Sequence, residues 1–216
     1  MDSAIEAVLW DFGGVILSSP FDAFSRYEAE LGLPTDFIRR INAANPDGNA
    51  WARMERAEID AAEFATLFEA EARALGGELS GHKVLELIAG EVRPEMVEAL
   101  KRVRAKYRIA CITNNMPAGH GPSMTRSADK AAQIAQIMAL FEQVVESSKL
   151  NLRKPDPRIY RHTCELLGVA PEACVYLDDL GINLKPARAM GMRTIKVTSA
   201  AQALGELEAL LDMPLR

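Results

Sequence analysis

The stretch Ala7-Val8-Leu9-Trp10-Asp11-Phe12-Gly13-Gly14-Val15-Ile16-Leu17 decides the fold. Four apolar residues run without interruption and stop at Asp11, and a Gly-Gly pair then allows a tight turn. A short apolar run bounded by turn residues predicts a buried strand. When neighbouring strands read the same way, the sheet is parallel and covered on both faces.

Downstream of Pro94 the chain repeats that pattern in alternation with helical segments. The spacing predicts a helix over 96–104, a strand over 108–112, a helix over 128–141 and a short strand over 143–145. A helix over 155–167, a strand over 174–177, a helix over 184–190, a strand over 194–197 and a terminal helix over 200–211 complete the series. Strands alternating with helices predict an α/β fold, Rossmann-like, with a mainly parallel sheet and helices on both faces. From Pro20 to about Gly90 the texture differs. Phe24, Tyr27 and Leu31, then Phe37, Ile38 and Ile41, then Phe64, Leu67 and Phe68, then Val84, Leu87 and Ile88 recur at helical spacing. The expectation is a catalytic core of residues 1–17 and 91–216, interrupted by an all-helical insertion over 18–90.

Composition narrows the classes. The 216 residues are 49% apolar and 25% charged, as in ordinary globular domains, so disorder is excluded as the main state. No apolar stretch reaches the roughly 18–20 residues that a membrane span needs. A net charge of −5 argues against nucleic-acid binding through bulk charge. Cys111, Cys164 and Cys174 are odd in number and form no CxxC pair, and the N-terminus shows no secretory pattern. Both features point to a reducing, cytoplasmic setting.

Ligands of open α/β sheets bind at the carboxyl ends of the strands. The predicted strands deliver Asp11, then Thr113 and Asn114, then Asp178 and Asp179 to that rim, and Lys154 stands ahead of the helix expected from Pro155. Three neighbouring carboxylates repel one another and call for a cation, and oxygen ligands suit Mg²⁺. Lys154, Thr113 and the N–H groups of a helix starting at Pro155 suit an anion. A metal site beside an anion site suggests phosphoryl transfer, with one Asp free to act as nucleophile. Plainer readings exist for each residue. Asp11 could be a turn residue, Asp178-Asp179 a helix-start pair and Lys154 a solvated lysine with Arg153 as an equal competitor.

Taken in order, Asp11-Phe12-Gly13-Gly14-Val15, Ile112-Thr113-Asn114, Lys154-Pro155-Asp156-Pro157 and Leu177-Asp178-Asp179-Leu180-Gly181-Ile182-Asn183 resemble the haloacid dehalogenase-like (HAD) hydrolase superfamily. The subgroup containing the N-terminal phosphatase domain of soluble epoxide hydrolases is most similar. The resemblance implies an aspartyl-phosphate formed on Asp11, a phosphoryl group held by Thr113 and Lys154, and substrate contacts from Gly14 and Asn114. It implies Mg²⁺ held by Asp11, the Gly13 carbonyl, Asp179 and Asp178, the last directly or through water. The insertion over 18–90 would be a helical cap that sets specificity. The expected partner is a small phosphorylated metabolite, with no nucleic acid or membrane, in a monomer or homodimer.

One departure matters. Most phosphatases of the superfamily carry a second Asp two positions after the nucleophile, which protonates the leaving group, and this chain has Gly13 there. Positioned acid–base catalysis is worth roughly 10²–10⁴-fold. The expectation is a preference for good leaving groups such as acyl, aryl or anomeric sugar phosphates, or else a cap residue such as Glu55 or Asp36 acting as substitute acid. Gly13 also keeps open a haloacid dehalogenase, or a weakly active protein that binds a phosphorylated ligand.

Other features carry less. Asp11-Phe12-Gly13 matches the kinase metal-binding triplet, but no other kinase signature accompanies it. His82, His120 and His162 lack ligand spacing. Trp51 and Met54 read as core of the insertion, with Trp51 also able to face substrate. Residues 116–126, rich in Gly, Pro and Ser, read as a connector.

Overall fold

The computed structural model describes residues 4–88, 90–115 and 128–216. The sequence readings of the 116–126 segment and of His120 lie outside them. Five strands, β1 (Ala7–Trp10), β2 (Arg108–Thr113), β3 (Gln143–Glu146), β4 (Cys174–Asp178) and β5 (Arg193–Lys196), form one sheet in the order β3-β2-β1-β4-β5. Every pairing is parallel. The order places β1 at the centre, so the residues after Trp10 emerge in the middle of the rim.

The uninterrupted apolar reading of β1 has a direct cause. Val8 and Trp10 pack on one face with helices α6 (Pro94–Arg104), α7 (Ala128–Met138) and α11 (Ala200–Leu211). Ala7 and Leu9 pack on the other with α9 (Pro157–Leu167) and α10 (Gly181–Ala189). Both faces are covered, so no polar residue alternates in.

The chain leaves the sheet after a hydrogen-bonded turn in which Ile16 N and Leu17 N donate to Phe12 O, both at 2.9 Å. Leu17 then pairs antiparallel with Val92, while Ser18 N donates to Glu91 O at 2.7 Å and Arg93 N to Ile16 O at 2.9 Å. The outgoing and returning segments thus form a two-stranded stem. Beyond it stand α1 (Phe21–Glu30), α2 (Phe37–Ala44), α3 (Ala50–Glu55), α4 (Ala61–Ala74) and α5 (Gly81–Leu87). They share an apolar centre built on Phe24, Phe37, Ile41, Met54, Phe64 and Phe68. Trp51 meets Phe24 edge-on at 6.1 Å, and Phe64 stacks on Phe68 at 5.1 Å. Asp60 starts α4 with a reciprocal capping box to Glu63, which satisfies N–H groups that have no partner within the helix.

Two helix starts differ from the expectation, and both bear on the rim. The helix expected from Pro155 begins at Pro157, because the Asp156 carboxylate caps it by accepting from Arg158 N at 2.9 Å. The Arg158 and Ile159 N–H groups at its start donate to Asp156. The helix expected from 184 begins at Gly181, directly behind Asp179. The short α8 (Ser147–Leu150) follows β3 without a break. Among the described residues no helix is long and apolar enough to cross a membrane. All three cysteines are buried and free.

Candidate active site

Strand register assembles the site. Trp10 lies level with Cys111 on β2 and Leu177 on β4, and Asp11 N donates to Leu177 O at 2.8 Å. Asp11 therefore stands between Thr113 at the end of β2 and Asp178 at the end of β4. Lys154 comes in from the loop before α9, its Nζ 2.8 Å from both Asp11 Oδ1 and Asp178 Oδ2. It is only 1% exposed, whereas Arg153, also on the cavity wall, pairs with Glu55.

Asp11 Oδ1 also accepts from Phe12 N at 2.6 Å. Asp178 is fully buried. It accepts from the Tyr176 hydroxyl, from Leu180 N at 2.8 Å and from Asn183 Nδ2 at 3.1 Å, besides Lys154. Asp179 packs against Gly14, where a Cβ would lie 2.2 Å from Asp179 Oδ2. Gly14 has φ +75°, and its carbonyl accepts from Arg93 Nη1 at 3.0 Å. Glycine at 14 thus meets a backbone and a space requirement at once.

Carboxylate oxygens of Asp11, Asp178 and Asp179 all lie within 4.8 Å of one another. Burial pushes the Asp11 carboxyl well above its ordinary range; Lys154 opposes this, while Asp178 and Asp179 reinforce it. Burial, then the Asp178 charge, pushes Asp179 up to about 6. For Lys154 burial alone would act downward, but Asp11 and Asp178 hold it above its ordinary value. Three carboxylates beside one ammonium leave unbalanced negative charge, the condition that favours a bound cation. The oxygen donor set suits a hard divalent ion. Asp178, already surrounded by donors, is suited to orienting Lys154 and Asn183, whereas Asp11 and Asp179 are less encumbered.

Asn114 lines the same cavity, with its side chain turned to the lysine loop. Its Oδ1 accepts from Lys154 N at 2.8 Å, and its Nδ2 donates to Lys154 O at 3.0 Å and Glu55 Oε2 at 3.3 Å. Both amide hydrogens are engaged within the protein, so the Asn114 side chain braces the lysine loop.

A cavity of about 670 Å³ opens between this rim and the helical insertion. Asp11, Gly13, Thr113, Lys154 and Asp179 form its polar end, and Leu17, Phe21, Phe24, Ile38, Trp51 and Ile88 supply apolar wall. Met54 is wholly buried behind the wall, while Trp51 is part of both wall and core. Glu55 is a buried cavity residue, whereas Asp36 is exposed and paired with Arg39 at 3.6 Å. Of the two acids named from sequence, only Glu55 is in the cavity. His82 on α5 and His162 on α9 stand on separate elements. The sequence reading missed Arg93, Tyr176 and Asn183. Asn183 lay within the quoted motif, but nothing in the pattern marked Arg93, which acts from the start of α6 across 79 positions.

A profile described as haloacid dehalogenase-like hydrolase matches residues 5–191. The chain is 30% identical over 220 residues to bifunctional epoxide hydrolase 2 of Mus musculus, covering 95% of this chain and 38% of that protein. It spans two fifths or less of the length of the first curated relatives it matches. It is 29% identical over 230 residues to phosphatase MT3486 of Mycobacterium tuberculosis, covering 97% of this chain and 98% of that one. A predicted HAD-like family hydrolase from Porphyromonas gingivalis superposes with a TM-score of 0.63 at 21% identity, over 98% of this chain and 100% of that one, which bears on the fold alone.

Proposed function

Because the chain belongs to the haloacid dehalogenase-like hydrolase family, we propose that it is a Mg²⁺-dependent phosphatase of small phosphorylated metabolites working through an aspartyl-phosphate on Asp11. The observation that carries this reading is the convergence of Asp11, Lys154 and two further carboxylates at one cavity end. A relative of nearly equal length that is named a phosphatase supports it.

Asp11 Oδ1 is committed to Phe12 N and Lys154 Nζ, which leaves Oδ2 as the attacking atom. Oδ2 bonds to phosphorus, and the bond from phosphorus to the leaving oxygen breaks with its electron pair on that oxygen. Water then attacks the same phosphorus, the Oδ2–phosphorus bond breaks with its electron pair on the Asp11 carboxylate, and the water proton leaves with the released inorganic phosphate. Lys154 and Thr113 hold the phosphoryl oxygens, and burial of the ammonium strengthens its pull on developing charge. Asp11, Asp179 and the Gly13 carbonyl would hold Mg²⁺, with Asp178 behind them. The ion would supply charge neutralisation on the transferring group.

Gly13 brings no proton to the leaving oxygen. Substrates whose leaving group departs without one are favoured, and the largely apolar cavity wall favours acyl or aryl phosphates over sugar phosphates. The test is kcat/KM for a series of phenyl phosphates of graded leaving-group acidity in the presence of Mg²⁺. A steep rise with acidity supports the reading, and a flat series contradicts it. A haloacid dehalogenase would use the same Asp11, and Gly13 is compatible with it. Three clustered carboxylates without a metal ion would burden that reaction, and EDTA separates the two readings.

A further inference from the structure

Glu55 is the last residue of α3, in the insertion, yet its polar contacts reach into the core. Its Oε1 accepts from Trp51 Nε1 at 3.0 Å, one helical turn back. Its Oε2 accepts from Arg153 Nε at 2.5 Å and from Asn114 Nδ2 at 3.3 Å. Its backbone carbonyl accepts from Ser147 Oγ at 2.7 Å, and that hydroxyl in turn receives Asn115 N at 3.1 Å. Arg153 also donates to Pro46 O at 2.9 Å. An ionised carboxylate buried at such a junction is costly unless donors surround it, and here three side chains do so. With every contact to its oxygens coming from an N–H group, Glu55 is arranged as an acceptor. Burial pushes the Glu55 carboxyl above its ordinary range, and Arg153 and Trp51 oppose this.

The contacts continue beyond Asn114. Its amide pairs at two points with the Lys154 backbone, and Lys154 Nζ ends against Asp11. A connected path therefore runs from the cavity wall at Trp51 through Glu55 and Asn114 to the lysine. We propose that Glu55 is a positioning residue. Delivered by the insertion, its carboxylate orients Asn114 and Arg153 and thereby sets where Lys154 Nζ stands relative to Asp11. The lysine is in register only while α3 is seated on α8.

The kinetic part of this inference rests on the phosphatase reading, and its spectroscopic part does not. Glu55→Gln keeps the volume and can still accept from Trp51, but it turns an NH₂ group toward Arg153 and Asn114. Misplacing a reacting group by about 1 Å costs on the order of 10²-fold, so kcat toward p-nitrophenyl phosphate with Mg²⁺ falls about 10–10²-fold in Glu55→Gln. KM stays within about threefold, since the cavity wall is intact. Glu55→Asp, which keeps the charge one carbon short, gives an intermediate loss and serves if the Gln variant does not fold.

In parallel, the side-chain ammonium signal of Lys154 is followed by ¹H–¹⁵N NMR in the ¹⁵N-lysine protein and assigned by its loss in Lys154→Arg. The inference expects this signal to move or broaden in Glu55→Gln. A superimposable lysine signal overturns it even if kcat falls, because the loss then does not pass through Lys154. An effect confined to KM, or an unchanged kcat, overturns it too. If the wild type releases no phosphate, the phosphatase reading fails, and the lysine signal alone decides the positioning role in either direction.

Discussion

At position 13 a Cβ would meet no atom within 4 Å, and Gly13 is not among the glycines held at positive φ. The site therefore has room for the side chain it lacks. Gly13→Asp is predicted to fold and to raise turnover of alkyl phosphates by about 10²–10⁴-fold, the worth of a positioned acid, while acetyl phosphate gains little. An equal gain across leaving groups, measured as kcat/KM, would contradict this. Gly14 is the opposite case. Gly14→Ala must adopt φ +75° and push Asp179 away, so a loss of about 1–3 kcal/mol in thermal unfolding and a weakened Mg²⁺ response are expected.

Asp179 also predicts a pH response. Its carboxyl lies near 6 in the folded chain against 3.8 ordinarily, so between those values the folded form holds a proton that the unfolded form has released. Stability of the Mg²⁺-free protein then rises as pH falls through 6, with Asp11 shifted in the same direction. Melting in EDTA should show Tm increasing from pH 7.5 to 5.5. The stabilisation given by added Mg²⁺ should shrink over the same window, because its ligands must be deprotonated. A Tm that falls on acidification in EDTA would refute the assignment.

At the scale of elements, legibility tracks burial. β1 is readable because both its faces are covered, so four apolar residues and a sharp stop define it. Asp11, Thr113, Asp178 and Asp179 are readable for the same reason, since each stands at the end of the buried run of a strand, whereas Lys154 comes from a loop. The start of α9 is not. Pro155 is a plausible first helical residue, and only the Asp156 side chain, one position later, reveals where the cap lies. Asn114 is legible as a rim residue but its task is not, because its partners are the Lys154 backbone and Glu55, 40 and 59 positions away. The insertion is readable as helical from its periodicity, though not the stacking of its rings. That stacking predicts that Phe68→Ala, at a wholly buried position against Phe64 and Trp51, costs about 3–5 kcal/mol in denaturant unfolding.

Over the whole molecule, a parallel sheet brings charge to its centre while a two-stranded stem carries five helices over it. Neither part makes the cavity alone: the carboxyl rim of the sheet supplies the polar end and the helices supply most of the apolar wall. This division explains why the chemistry is visible in short motifs but the shape of the substrate is not, since the wall is gathered from several helices with no fixed spacing. Asp11 is expected to become phosphorylated with Mg²⁺ bound beside it. Phosphate release from p-nitrophenyl phosphate and acetyl phosphate, with Mg²⁺ or EDTA, by wild type and Asp11→Asn tests it most directly. The expected result is Mg²⁺-dependent release that EDTA abolishes and that Asp11→Asn lowers by at least about 10⁴-fold, as loss of a nucleophile does. Release that persists in Asp11→Asn, or is indifferent to EDTA, would contradict it.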